Sequence, residues 1–161
     1  MKLKMTACIE APKEKVWNVL SDIENVHLWI DPIISAHCEY NNQSKVGTIR
    51  TCNLKGNMRV QEKWIEWNEG DSFTYQAFGA PLIKSAKNTW SVKSVNGNTL
   101  LTTESVIELK GGILGKLLNP LMLFVSKKMG GDSLAAIKYL IETGHPYEKK
   151  FSKLPRVPIS C

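Results

Sequence analysis

Glu62 is the residue whose placement decides most about any chemistry this chain can perform. It lies in the alternating run Met58-Arg59-Val60-Gln61-Glu62-Lys63-Trp64, where Arg59, Gln61 and Lys63 require water and so turn Met58, Val60, Glu62 and Trp64 inward. A carboxylate on an inward face must be neutralised, paired or wet, and desolvation raises its pKa, which is one way a general base is made. If it instead reaches a cavity mouth, or is hydrogen-bonded by a neighbour such as Asn88, its role is structural. Tyr75 is the second candidate for moving protons. Asn88, Thr103 and Ser105 are further inward polar groups, able to orient a polar ligand head.

Other constellations are poorer. Cys8, Cys38, Cys52 and Cys161 contain no C-x-x-C pair for zinc or redox work, and free thiols in a reducing compartment are the expectation. His27, His37 and His145 fall in three separate segments, so no metal site is expected. His37 and Cys38 are adjacent in a strand and point to opposite faces, which argues against a Cys/His nucleophilic pair. Gly111-Gly112-Ile113-Leu114-Gly115-Lys116 has the wrong glycine spacing for a phosphate loop, and Leu117 stands where that motif needs Ser or Thr.

The elements that must position these groups follow from hydrophobic periodicity. Residues 3–9 read as a strand, and Ala11-Pro12 opens a helix that turns Val16, Trp17, Leu20 and Ile23 to one side. A second helical segment runs from Glu24 to about Ile30 and is stopped by Asp31-Pro32. Period-two runs near 35–42, 46–55, 58–67, 72–79, 85–95 and 99–109, separated by Asn/Gly/Pro turns, form an antiparallel meander. Alternation turns Phe73, Tyr75 and Ala77 inward, with Ala86, Asn88, Trp90 and Val92, and Leu101, Thr103, Ser105 and Ile107. After Gly112 the period returns to that of a helix, and one apolar stripe is read from Leu114, Leu117, Leu118, Leu121, Phe124, Val125, Met129, Leu134, Ile137 and Ile141. This helix is expected to cover the sheet's concave face, burying Leu117, Leu121, Phe124 and Val125, and to end at Gly144.

The order of elements, with Ala11-Pro12-Lys13-Glu14-Lys15-Val16-Trp17, Leu20, Asp22, Trp29 and Pro32, resembles the opening of the SRPBCC superfamily of START-like, polyketide cyclase-like and plant hormone-binding proteins. Val46-Gly47-Thr48, Trp64-Ile65-Glu66-Trp67, and Trp90 followed by Asn96-Gly97-Asn98-Thr99 continue the likeness, and the polyketide cyclase/dehydrase-like branch is the nearest. The resemblance implies an α+β helix-grip fold: a curved antiparallel sheet of six to seven strands wrapped around a long C-terminal helix, with two short helices after the first strand. It also implies a cavity between sheet and helix in which relatives hold sterols, lipids, hormones or polyketides.

The chain divides into one domain at 1–144 and a basic, Pro-containing tail at 145–161, expected to be loosely docked and dispensable for stability. A length of 161 residues with 43% hydrophobic and 22% charged composition excludes disorder and collagen. Charge is uneven, with 9 Lys and Arg against 10 Asp and Glu in residues 1–80, and 12 against 5 in residues 81–161. A basic half suits an anionic membrane or acidic ligand, and the absence of Arg-rich runs argues against nucleic acid. With no secretory leader read at the N-terminus, the expected location is cytoplasmic.

The expected function is binding or carriage of a small hydrophobic ligand without a cofactor. Glu62, Trp64, Phe73, Tyr75, Asn88, Trp90, Thr103, Ser105, Leu121 and Val125 would line its site. The alternative is a cyclase, aromatase or dehydratase using Glu62 and Tyr75. A third reading adds transient contact with an anionic membrane, with Ala80-Pro81-Leu82-Ile83 as an apolar lip. Oligomeric state is left open.

Overall fold

A computed structural model of the chain describes residues 1–41, 44–112, 117–158 and 160–161. The alternating runs form seven strands: β1 (Lys2–Ile9), β2 (Ile33–Glu39), β3 (Ile49–Leu54), β4 (Met58–Asn68), β5 (Ser72–Phe78), β6 (Ile83–Val95) and β7 (Asn98–Leu109). They pair antiparallel in the order β1-β7-β6-β5-β4-β3-β2, so β1 and β2 are the edges of one open sheet. Helix α1 (Lys13–Ser21) follows β1, and a single 3-10 turn at Asn25–Leu28 takes the place of a second α-helix. Helix α2 (Asn119–Thr143) closes the fold, and Gly144 adopts the left-handed conformation that ends it.

Local chemistry explains these boundaries. Pro12 caps α1 at a position whose N–H no helix needs, and Val16, Trp17 and Leu20 are its buried face. Asn96 and Gly97 both have positive φ, the conformation of a two-residue hairpin whose twist matches its strands. The inward faces read from alternation hold in β5, β6 and β7, where Phe73, Tyr75, Ala86, Trp90, Val92, Leu101, Thr103 and Ile107 are buried, whereas in β4 Glu62 and Trp64 are buried but Met58, at the strand's start beside the β3–β4 turn, is exposed. In β4 the pairing slips between Trp64 and Glu66, and this bulge reverses the parity beyond it. Both Trp64 and Trp67 therefore reach the inner side, where Trp67 stacks on Phe73 at 5.2 Å between centroids.

Three expectations are corrected. The first concerns α2. Its buried residues are Ser133, Leu134, Ala135, Ala136, Ile137 and Ile141, while Leu117, Leu121, Phe124 and Val125 are exposed, Leu121 by 60% and Phe124 by 68%. The physical reason is helical geometry: Val125 and Leu134 are separated by about two and a half turns and so lie on opposite sides. The single stripe is two stripes, and only the second meets the sheet. Gly130 and Gly131 set the contact, since a Cβ at Gly130 would lie 2.8 Å from the Met5 sulfur of β1. Leu114 lies outside the described residues, as does the Ile113–Lys116 part of the glycine-containing run.

The second correction concerns the tail. Phe151 is buried in the core, Tyr139 and Tyr147 pack edge to face, and Leu154 and Val157 lie against the core. The Cys8 N–H donates to the Pro158 carbonyl, so the tail covers part of the free edge of β1. The third is that Cys8 and Cys161 are joined by a disulfide, leaving Cys38 and Cys52 as the free, buried thiols.

Ile137→Ala, removing a side chain with no exposed surface, is expected to cost about 2–5 kcal/mol. Leu121→Ala is expected to change stability by less than about 0.5 kcal/mol. Paired urea melts check both, and equal losses would mean that the two halves of α2 are packed alike.

Candidate functional site

The inner face of β3, β4 and β5 gathers the densest set of polar and aromatic groups. Register places Arg50 directly across from Glu62. Arg50 is 3% and Glu62 8% exposed, and together they form a buried ion pair. The Arg50 Nε donates to Glu62 Oε2 at 2.7 Å, Nη2 approaches the same oxygen at 2.5 Å, and Nη1 donates to the Ile23 carbonyl at 2.6 Å. The Cys52 thiol adds a bond to Oε2 at 3.5 Å. The guanidinium lies 4.9 Å from the Trp64 ring centroid and 5.7 Å from that of Tyr75, within cation–π range.

This arrangement changes the chemistry open to Glu62. Its carboxylate answers a buried cation, and Oε2 is occupied by the bonds from Arg50 Nε and Nη2 and from the Cys52 thiol. Burial alone lowers the Arg50 pKa, but Glu62 beside it more than reverses this and fixes the positive charge. Burial, reinforced by Glu62, pushes the Tyr75 phenol well above its ordinary value, so it stays protonated and is a poor base near neutral pH. Burial likewise raises the Cys52 thiol to about 12 and the Cys38 thiol to about 11, which leaves neither as a thiolate nucleophile. The expectation that Asn88 answers Glu62 is corrected: Asn88 instead accepts a 2.6 Å hydrogen bond from Ser105.

The structure divides the expected lining residues among several places. Glu62, Trp64, Phe73 and Tyr75 come together, with Trp64 to Tyr75 at 5.3 Å and Trp64 to Phe73 at 5.9 Å between centroids. Trp90 packs edge-on against Trp29 at 5.3 Å, with Thr103 opposite it in register. Asn88 and Ser105 form their own pair farther along β6 and β7. Glu62, Tyr75, Trp90 and Thr103 each retain 6–8% accessible surface. Trp64 Nε1 and Thr48 Oγ1 are buried without a hydrogen-bond partner among the described residues. Leu121 points to solvent. Val125 lines a cleft of about 170 Å³ between α2 and the start of β2, together with Asp31, Pro32, Phe124, Met129 and Ser133. A second, more open cleft of about 290 Å³ lies between α1 and the end of α2, bordered by Lys15, Asp22, Leu28, Trp29 and Leu140.

Arg50 and Trp67 are the residues that sequence reasoning missed. Arg50 was legible in principle, because alternation through Arg50 and Cys52 puts both on one face, opposite a run containing Glu62. Trp67 was not, because the bulge in β4 leaves no mark in the alternation before it. Trp67 belongs to a second cluster in which Glu69 accepts the indole N–H of Trp17 at Oε1 and of Trp67 at Oε2, each at 2.7 Å. These bonds, first that from Trp67 and then that from Trp17, hold the Glu69 carboxyl below its ordinary pKa.

The family described as polyketide cyclase/dehydrase and lipid transport matches residues 1–142. No curated protein matches the chain in sequence. Among solved structures, Ara h 8.0201 superposes with a TM-score of 0.72 at 15% identity, covering 89% of this chain and 98% of its own. The ZhuI aromatase/cyclase from Streptomyces sp. R1128 gives 0.71 at 14% identity, covering 88% and 93%. A protein from Thermus thermophilus, TTHA0849, gives 0.71 at 15%, covering 89% and 99%. At such identities the likeness is one of fold.

Removing one member of the Arg50–Glu62 pair strands the other. Glu62→Gln and Arg50→Met are each expected to cost about 3–5 kcal/mol, and the double variant Arg50→Met/Glu62→Leu to recover most of that loss. Chemical melts of the three variants test this, and additive losses would show that the pair is not a unit. Glu69 has its own signature. A depressed carboxylate contributes stability above its unfolded pKa of about 4.3 and loses it as pH falls through the lower folded value. Glu69→Gln, which cannot accept from both indoles with two oxygens, is therefore expected to lower Tm at neutral pH. The gap to wild type should close on acidification below about pH 4, as thermal melts across pH would show.

Proposed function

The chain belongs to the polyketide cyclase/dehydrase and lipid transport family, and from that premise we propose that it binds a small hydrophobic ligand with one polar end. The observation that carries this reading is the cleft between α2 and the start of β2. Phe124, Val125 and Met129 face Pro32 across it, and Asp31, Lys128, Asp132 and Ser133 supply polar groups at its walls. Apolar side chains that a helix turns away from its own sheet are surface a ligand can cover. The volume of about 170 Å³ is below the 300–1,000 Å³ or so of a full ligand pocket. It therefore takes one end of a ligand, a ring or part of an acyl chain, with the remainder lying along the exposed side of α2.

Carriage is favoured over proton transfer because Glu62 is committed to Arg50 and Tyr75 is held protonated. Burial of roughly 300 Å² of apolar ligand surface at about 25 cal/mol/Å² gives about 7–8 kcal/mol before ordering costs, which makes micromolar affinity the upper limit without good polar contacts.

Displacement of the dye 8-anilinonaphthalene-1-sulfonate by a panel of fatty acids, sterols and aromatic polyketide-like compounds tests the reading, with native mass spectrometry of freshly purified protein beside it. Val125→Asp and Met129→Lys are expected to weaken the best ligand at least about tenfold while leaving Tm within the error of the measurement. If no compound displaces the dye and none co-purifies, the ligand reading falls.

A further inference from the structure

We propose that the end of the molecule around the cleft is a docking face for an anionic lipid bilayer. Antiparallel pairing brings five chain segments to that end: the start of β1, the start of β2, the β3–β4 hairpin, the β5–β6 hairpin and the end of β7. They are tied to one another. The Lys55 N–H donates to the Pro32 carbonyl at 3.0 Å, a Cβ on Gly79 would meet the Arg59 carbonyl at 3.4 Å, and the Lys110 N–H donates to the Leu82 carbonyl at 2.8 Å. The Met1 amino group donates to the Ile107 carbonyl. The result is a continuous rim, and the first half of α2 stands over it beside Asp31 and Pro32.

Two properties of the rim point to a membrane. The first is apolar exposure: Ile34, Met58, Phe78 and Leu82 are exposed on the strand ends, with Leu117 just before α2 and Leu121 on it, whereas the far end of the sheet offers Tyr40 and Val46. Leu82 is 55% exposed at φ +62, a left-handed conformation that a leucine rarely adopts, so the hairpin holds a large apolar side chain in water at a conformational cost. A ligand in the cleft would leave Leu82 and Leu117 uncovered, since neither lines it.

The second property is charge. Lys2, Arg59, Lys110 and Lys127 lie on or beside the rim and form no ion pair among the described residues. The carboxylates at this end, Asp31, Glu108 and Asp132, are already paired with Lys55, Lys84 and Lys128. Apolar tips among cations match the acyl and headgroup layers of an anionic leaflet. A second copy of the chain fits less well, because a two-fold interface would set these cations against themselves. Docking here would bring the mouth of the cleft to the lipid surface.

Sedimentation of the full chain with phosphatidylcholine vesicles, with and without phosphatidylserine, tests the proposal. Wild type is expected to sediment with phosphatidylserine-containing vesicles at low salt and to be released at high salt. Lys110→Glu and Lys127→Glu should each reduce the bound fraction about fivefold or more. Leu82→Gly, which suits the positive φ and so preserves the fold, should reduce it severalfold with no loss of Tm. Failure of the wild type to sediment overturns the proposal, as does sedimentation that these variants leave unchanged. A wild-type dimer in analytical ultracentrifugation that Leu82→Gly dissociates would assign the rim to a second copy and overturn it too. These variants lie outside the cleft, so vesicle binding without dye displacement would leave this inference standing while the ligand reading fails.

Discussion

Helix α2 carries more apolar surface than one sheet can cover, and the rest of the molecule is arranged around that excess. Its second half presents Leu134, Ile137 and Ile141 to the core, where two successive glycines let it approach β1 closely. Its first half turns Leu121, Phe124 and Val125 about half a turn away from that contact. A helix cannot bury two opposite faces against one layer, so one had to remain for something else. The cleft beside Pro32 exists because the face left over is also the one opposed to the loop before β2. Rigid packing at one end of α2 and an unburied face at the other are thus consequences of a single sequence, read at about 3.6 residues per turn.

The interior under α1 follows a different logic. There the sheet buries a guanidinium, a carboxylate and two thiols among Trp64, Phe73 and Tyr75, and makes the set self-consistent through one ion pair. Such a pair contributes little net stability compared with an apolar replacement, but its separate members are costly to strand. What the pair supplies is fixed position: Arg50 reaches from β3 to the Ile23 carbonyl below α1, which ties the helical segment to the sheet. Trp17, packed against the Trp67–Phe73 stack with its N–H on Glu69, ties the middle of α1 down.

Most of the fold was legible because it rests on local rules. Alternation located all seven strands, and Asn96-Gly97 marked its hairpin, since side-chain period and turn chemistry are properties of a few neighbouring residues. What was not legible depends on registers and distances that no window contains. The bulge between Trp64 and Glu66 put Trp67 inside. The partner of Glu62 is twelve positions back on the neighbouring strand and becomes evident only once β3 and β4 are aligned. Cys8 and Cys161 are 153 residues apart and meet because the tail returns to the edge of β1. The two faces of α2 are a matter of phase: its long run of apolar residues reads as one stripe until Val125 and Leu134 are set on the helix, where they fall out of phase.

The uncovered half of α2 has a thermodynamic meaning of its own. Moving Phe124 or Leu121 into a core would gain on the order of 1.5–3 kcal/mol each, an ordinary gain for a sequence selected for stability alone. The chain instead keeps them in water, and holds Leu82 exposed at the same end of the sheet in a disfavoured backbone conformation. Surface tolerated at that cost, concentrated at one end and adjoining a cleft, is what a binding face requires, because the hydrophobic energy withheld from folding remains to be released when something covers it. The far half of α2, the tail packed beside it and the edge of β1 are, by contrast, packed against the core, so the unburied surface is confined to the opposite end of the helix.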